Sequence, residues 1–192
     1  QKPLYGILLI LCASGLLASH DGVSKHLTHA YPLVMVIWAR YAVQSVAMFV
    51  LFFPKMRWAI VRTRRPLLQL LRALALLSIS VLFIGGLRYI PLGEATAVMF
   101  LAPLIVTLLS AVFLQEKISK GQWLAVGVGF LGVLLIVRPG GALFNPAIAL
   151  PMSASFCFAV YQLITRRLAS TDHAVTSNFL SGLFGTLALT ML

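Results

Sequence analysis

Long apolar stretches, separated by short polar segments, make up almost the whole chain. Several reach about 20 residues, the length of helix that crosses a hydrocarbon core of about 30 Å. We place seven of them, at residues 3–25, 32–53, 67–89, 92–114, 122–137, 147–165 and 175–192. They are continuous rather than alternating, and backbone groups in lipid must pair within the segment, so each stretch predicts a helix and not a barrel strand.

The composition strengthens this interpretation. Of the 192 residues, 60% are hydrophobic and 10% charged, and the mean hydropathy is +0.99. A soluble domain needs a more polar surface than this composition supplies. We therefore expect an all-α, polytopic membrane helix bundle, with the lipid bilayer as its surroundings.

The positive charge lies in alternate connections between the stretches. Three basic segments, PKMRWAIVRTRRP, QEKISKG and TRRLASTDH, occupy residues 54–66, 115–121 and 165–173. Basic loops stay in the cytoplasm, so the pattern predicts a multi-pass inner-membrane protein with a cytoplasmic N-terminus. The net charge of +11 does not follow one helical face, so no nucleic acid is expected as a partner.

A glycine motif, GVGFLG at residues 127–132, fits the dinucleotide spacing G-x-G-x-x-G. That turn needs a strand before it and an acidic residue about 20 positions later. Here it lies inside one apolar stretch, and no Asp or Glu occurs between Glu116 and Asp172. We interpret Gly127, Gly129 and Gly132 as small residues that let another helix approach, and expect no cofactor.

A weak internal repeat relates SKHLTHAYP at residues 24–32 to TRRLASTDH at residues 165–173, 141 positions later. Five predicted helices precede the second copy. An odd number places two consecutive copies upside down in the membrane relative to each other. Inverted repeats with a binding site between them are the architecture of many secondary transporters.

Five motifs carry a family resemblance: DGVSKHL (21–27), YPLVMVIWARY (31–41), YIPLGEATAVMFLAPL (89–104), LQEKISKGQW (114–123) and GVGFLGVLLIVRPG (127–140). With them the chain resembles the EamA family of the drug/metabolite transporter superfamily. The resemblance implies ten helices in two inverted halves, no ATP-binding module, and transport of small metabolites such as amino acids. Residues 1–140 would form the first five-helix repeat and residues 145–192 two helices of the second, so we expect a chain truncated after its seventh helix.

Charged residues inside the predicted helices mark the first candidate site. Each costs about 2.5–3.5 kcal/mol on insertion scales, so it needs a partner or a wet cavity. Asp21 and Arg40 lie at similar depth on antiparallel helices, and Lys25 follows Asp21 at the favourable i, i+4 spacing. We hypothesise a polar cluster that substrate or a proton disturbs. The alternative is that both cations extend to the lipid headgroups while Asp21 closes a helix end.

The fourth stretch contributes further candidates. Glu94 opens it, where a carboxylate suits the helix dipole. Pro103 lies near its middle and removes the hydrogen bond to the Met99 carbonyl, which predicts a kink. Met99 and Phe100, together with Trp38, would pack on an apolar part of a substrate, or else face lipid or the core.

Polar residues in the other helices complete the candidate pathway. Gln44, Tyr161 and Gln162 belong to the proposed pathway; Ser78, Ser80, Thr96 and Thr107 are further candidates. Each has an interhelical hydrogen bond as its alternative role. The expected partners are a small-molecule substrate and, as one option, a second copy in a homodimer.

Metal binding, light reception and hydrolysis each need a set of residues that this sequence lacks or does not bring into one predicted cavity. A metal site at SHDGVSKHLTH (19–29) would rest on His20, Asp21, His26 and His29 without a cysteine, so we prefer a solvated outer loop and expect no metal. A photoreceptor requires a lysine in the last helix, and a membrane hydrolase requires paired carboxylates or a Ser/His pair in one cavity. We therefore expect no enzyme, with a channel as the remaining alternative.

Overall fold

The computed structural model describes residues 3–113, 119–137 and 145–191. Within these ranges the chain forms helices and no strands. The helices are α1 (Pro3–Ala30), α2 (Leu33–Met56), α3 (Pro66–Gly86), α4 (Leu92–Met99), α5 (Leu101–Phe113), α6 (Lys120–Val137), α7 (Ala149–Leu168) and α8 (Ala174–Thr190). Single 3-10 turns follow α2 at Arg57–Ile60 and precede α7 at Pro146–Ile148.

The helices confirm the all-α membrane bundle. Five segments are long and apolar enough to cross a bilayer, namely Gly6–Thr28, Leu33–Ile60, Pro66–Gly86, Leu92–Ala111 and Pro146–Leu168. The helices α6 and α8 are apolar but shorter. Each predicted stretch corresponds to one helix, except the fourth, which corresponds to α4 and α5 together.

The division of the fourth stretch lies where Pro103 predicts it. The helix α4 ends at Met99, the residue whose carbonyl cannot accept from position 103, and α5 begins at Leu101. The Ser155 hydroxyl of α7 lies 3.0 Å from the Val98 carbonyl oxygen. A neighbouring helix thus supplies a polar contact at the interruption, as lipid-embedded backbone requires.

The first helix continues five residues beyond its predicted end. The apolar stretch stops at Lys25, but α1 extends to Ala30 because no helix-breaking residue occurs before Pro32. The expectation of a solvated loop at residues 19–29 is therefore wrong. His20, Asp21 and His26 lie on a helix, while the side chain of His29 is outside the described part.

Contacts along the helices fix their relative directions. The helices α2 and α8 are antiparallel, since Trp38 bonds to Thr190 and Gln44 to Asn178. The helices α3 and α7 are also antiparallel. The end of α3 packs at Gly86 against Pro151 near the start of α7.

The helices α1 and α7 run in opposite directions. The ammonium group of Lys25, late in α1, donates to the carbonyl of Ile90 just beyond α3, so α1 and α3 end at the same side. The helix α7 begins at that side. This is the relation that two inverted copies require, because α1 and α7 are corresponding helices of the predicted repeat.

Of the three glycines that the motif predicts, Gly129 lies at a close helix approach, and the closest approaches in the described chain occur at glycines of α8. In α6, a Cβ on Gly127 or Gly132 would meet nothing within 4 Å, and only Gly129 has a near neighbour, Leu104 at 3.1 Å. In α8, a Cβ on Gly182 would lie 2.6 Å from Ser45 Oγ. The explanation is that α6 exposes most of its described surface, whereas α8 packs deeply against α2.

We predict that Gly185→Ala destabilises the bundle. Its Cβ would lie 2.8 Å from Cγ of Tyr41, and this ring is fully buried with its hydroxyl bonded to Ser80, so it has no room to shift. Overpacking of this kind costs about 1–3 kcal/mol. Thermal unfolding in detergent measures the loss. Gly127→Ala is the matched control and should unfold at the wild-type temperature or slightly above; equal unfolding of both variants would contradict the packing.

Candidate functional site

An open cleft of about 650 Å³ separates α1 from α2. It follows both helices from Leu27 and Val36, near their shared turn, to Leu16 and Gln44, about 17 Å along α1. The cleft therefore reaches from one end of the bundle to about the middle of a bilayer. Its polar lining consists of Ser19, His20, Ser24, Arg40 and Gln44.

The predicted cluster of Asp21, Lys25 and Arg40 is divided among three different partners. The carboxylate of Asp21 lies 3.1 Å from Nδ1 of His20. The ammonium group of Lys25 donates to the Ile90 carbonyl at 3.4 Å. Beyond the end of α3 this carbonyl has fewer helical partners, and it attracts the cation away from Asp21.

Arg40 faces the cleft. Its guanidinium donates to the Ser80 hydroxyl at 3.4 Å and lies 5.9 Å from the centre of the Tyr41 ring. Ser80 also bonds to the Tyr41 hydroxyl, at 2.9 Å. The described part of the cleft lining contains this cation and no carboxylate.

The other predicted site residues occupy several places. Gln44 lines the cleft and donates to the Asn178 carbonyl at 3.4 Å. Trp38 donates to the Thr190 hydroxyl at 2.8 Å. Tyr161 belongs to a buried network described below, and Gln162 is partly exposed on α7.

The candidates of the fourth stretch lie outside the described cleft lining. Glu94 is in the first turn of α4, as the dipole argument predicts. Met99 ends α4, with its sulfur 3.6 Å from the Ser155 hydroxyl, whereas Phe100 is 67% exposed and Pro103 is exposed on α5.

Among the smaller polar residues, only some bond across helices. Ser80 bonds to α2. Thr96 and Thr107 instead donate to the carbonyls four residues earlier, Leu92 and Pro103. In the described chain each hydroxyl thus finds its acceptor within its own helix, and the interhelical interpretation is wrong for these two threonines.

A buried arginine that the sequence analysis did not single out forms the densest polar contacts of the bundle. Arg72 of α3 is 2% exposed, and its guanidinium lies 4.8 Å from the centre of the Tyr161 ring. All five of its N–H groups donate: to Thr165 Oγ1 at 3.0 Å, Tyr161 Oη at 2.7 Å, the Ser177 carbonyl at 2.6 Å, Ser181 Oγ at 2.6 Å and Asn178 Oδ1 at 2.8 Å. We call these six residues the Arg72 network.

The sequence contained a signal for this network. Arg72 is a cation within an apolar stretch, which by the insertion argument needs partners. Tyr161 and Thr165 have the i, i+4 spacing of one helix face, as do Ser177 and Ser181. What the sequence lacked was the information that these three helices meet.

Asp172 joins the two connections at the same end of the bundle. Its carboxylate accepts from the Thr63 hydroxyl, from the Arg64 backbone N–H at 3.1 Å and from Gln69 Nε2 at 2.9 Å. Burial alone raises the pKa of Asp172, but these hydrogen bonds and the nearby charge of Arg64 outweigh it and hold the pKa below its ordinary value. The carboxylate therefore stays ionised at neutral pH.

The comparisons with known proteins identify the family. The model of the EamA-like transporter family matches residues 4–138. The chain belongs to the EamA-like transporter family. As an EamA protein with several membrane-spanning helices, it is a multi-pass membrane protein of a transporter family.

Curated EamA relatives with named substrates match most of the chain. A riboflavin transporter of Vibrio cholerae is 30% identical over 180 residues, which cover 92% of this chain and 60% of the relative. An S-adenosylmethionine uptake transporter of Rickettsia prowazekii is 28% identical over 182 residues, covering 94% and 61%. The chain thus spans about three-fifths of the length of these relatives.

One solved crystal structure has the same helix arrangement. It superposes with a TM-score of 0.63 at 18% identity, covering 91% of this EamA chain and 62% of that chain. At this identity the likeness supports the fold alone.

We predict that Asp172→Asn lowers stability in a pH-dependent way. Because the pKa of Asp172 is lower in the folded protein than in the unfolded one, the ionised carboxylate stabilises the fold at pH above the unfolded pKa of about 3.9. This contribution is lost as the pH falls through the lower pKa of the folded protein. The variant should therefore be about 1 kcal/mol less stable at pH 7, and the difference should shrink below pH about 4.

Thermal unfolding in detergent across this pH range measures the difference. Ser170→Ala, in the same connection, removes a hydroxyl but no titrating group, so its difference from wild type should not vary with pH. A pH-independent effect of Asp172→Asn would contradict the assignment.

Proposed function

We propose that the protein is a secondary transporter that carries a small metabolite across the bacterial inner membrane by alternating access. Residues 1–140 would form one five-helix repeat, and residues 145–192 the first two helices of an inverted second repeat. The substrate would be an amino acid or a related compound.

The observation that carries this proposal is the asymmetry of the bundle along its axis. The cleft between α1 and α2 extends toward the end that holds their shared turn. At the other end, the Arg72 network and Asp172 join α3 and the preceding connection to α7, α8 and the connection between them. A cleft toward one end and dense polar contacts between helices at the other are what a carrier has in one of its two states.

The opposite directions of α1 and α7 support the inverted arrangement. Two copies that differ by inversion have nearly equal alternative packings, since each copy can take the role of the other. Rocking between such packings moves an opening from one side of a membrane to the other around a fixed site.

The cleft lining supports a polar substrate. Arg40 offers a guanidinium suited to a carboxylate or phosphate, and Gln44 offers an amide. The named relatives act on riboflavin and S-adenosylmethionine, so both belong beside amino acids in a substrate panel.

We predict that Arg40→Gln raises the KM for uptake by about tenfold, the loss expected from one charge-assisted hydrogen bond. Labelled metabolites presented to vesicles that contain the full-length protein measure this. Lys55→Gln, on the exposed end of the same helix, is the control and should transport normally. A normal KM in Arg40→Gln would favour the alternative in which Arg40 only extends to the lipid headgroups. A flux that does not saturate with substrate concentration would favour a channel.

We further predict that the end with the basic connections faces the cytoplasm. The residues Arg57, Arg62, Arg64, Arg65, Arg166 and Arg167 all belong to it. Single cysteines at Arg62 and Tyr31, in a background without Cys12 and Cys157, report the orientation through a membrane-impermeant thiol reagent. In intact spheroplasts position 31 should react and position 62 should not; the reverse pattern would overturn the assignment.

A further inference from the structure

The Arg72 guanidinium is a buried cation whose recorded partners are all neutral. Three hydroxyls, one backbone carbonyl and one amide oxygen accept its five hydrogen bonds. In the described part of the chain no carboxylate forms an ion pair with it. Burial of a charge without a counter-ion is costly, so its position needs an explanation beyond stability.

Neutral partners make the contact reversible. A buried ion pair leaves an uncompensated carboxylate behind when it separates, which strongly opposes opening. Hydroxyl, carbonyl and amide oxygens can each exchange a guanidinium N–H for water at smaller cost. The Arg72 network therefore holds the interface by many bonds that water can replace.

The network lies between two groups of helices, the first formed by α1 to α6 and the second by α7 and α8. Arg72 is on α3, about 9 Å from the start of that helix, and each of its partners is on α7 or α8. Any movement that opens this end by separating α3 from the second group has to break these bonds.

The closed arrangement is also imperfect beside Arg72. Gln69, one turn earlier and fully buried, donates to Ser177 Oγ at 2.8 Å and to Asp172 at 2.9 Å. Its Oε1 atom has no hydrogen-bond partner among the described residues. Opening would let water reach this oxygen.

The network is connected to the cleft through one residue. Asn178 accepts from Arg72 with its side chain, and from Gln44, which lines the cleft, with its backbone carbonyl. A ligand that draws Gln44 away would act on the same residue that holds the guanidinium.

We infer that Arg72 is the latch of the basic end: its guanidinium holds α3 against α7 and α8 in the closed state, and its release opens that end during transport. The inference rests on the proposed carrier function. Arg72 is a positioning residue here, since it acts on the helices and not on the substrate.

The test measures opening separately from transport. In the full-length protein without native cysteines, Ala73→Cys places a thiol beside Arg72 at a position that is 3% exposed. In inside-out vesicles a membrane-impermeant maleimide should label it slowly. Arg72→Gln should raise the labelling rate by about tenfold, the change in the open population that one lost hydrogen bond to a charged group produces.

Two further variants separate a latch from a fold-stabilising contact. Arg72→Lys keeps the charge with three donors in place of five, so it should give an intermediate rate. Asn178→Ala removes one acceptor and should also raise the rate, which keeps the test valid if Arg72→Gln fails to fold. Arg167→Gln, exposed at the end of α7, is the control and should label like the parent protein.

The outcomes distinguish the two proposals. Faster labelling with a normal size-exclusion profile, together with impaired concentrative uptake, supports the latch. Unchanged labelling in both Arg72→Gln and Asn178→Ala, with normal uptake, overturns the latch but leaves the carrier in place. Faster labelling in a protein that shows no saturable uptake of any metabolite contradicts the carrier while retaining the mobile contact. Loss of folded protein in both variants would identify a structural contact and overturn the inference.

Discussion

The closed arrangement of the basic end depends on the five hydrogen bonds by which the Arg72 guanidinium joins α3 to α7 and α8. A cation inside an apolar protein must find acceptors, and here every acceptor comes from the second group of helices. The need to satisfy one charge therefore fixes which helices meet and at what depth. Gln69 and Asp172 extend the same contact to the connections at that end.

Close packing supplies the second constraint, between α2 and α8. Gly182 and Gly185 bring α8 against Ser45 and Tyr41, with no space for a methyl group. In lipid, where the hydrophobic effect does not drive helices together, this contact area and the hydrogen bonds across it are the main source of association. The two helices that correspond in the proposed repeat thus pack directly against each other.

The helix α1 is held differently. Its residues from Gly6 to Ser19 are exposed wherever they are described. In the described part of the chain, its side-chain hydrogen bond to the rest of the bundle is the one from Lys25 to Ile90. The cleft lies beside this loosely packed helix, whereas the Arg72 network lies in the most tightly packed region. The proposed substrate pathway therefore lies in a loosely packed region and the proposed closure in a tightly packed one. Loosely packed regions move more easily, so this difference suits a movement that is confined to one end of the bundle.

The sequence by itself determined the helical class, the positions of the seven apolar stretches and the interruption near Pro103, because these depend on length, hydropathy and a missing N–H group. It did not determine which polar residues pair. Asp21 and Arg40 have matching depths, yet depth along a helix does not specify rotation about its axis, and each side chain found another partner. Only the tertiary structure revealed that the closest approaches occur at Gly182 and Gly185, whereas of the motif glycines in α6 only Gly129 has a near neighbour. It alone also revealed that Arg72 meets Tyr161 and Asn178. These contacts join residues about 90 or more positions apart, and their geometry arises when helices distant in the chain pack together.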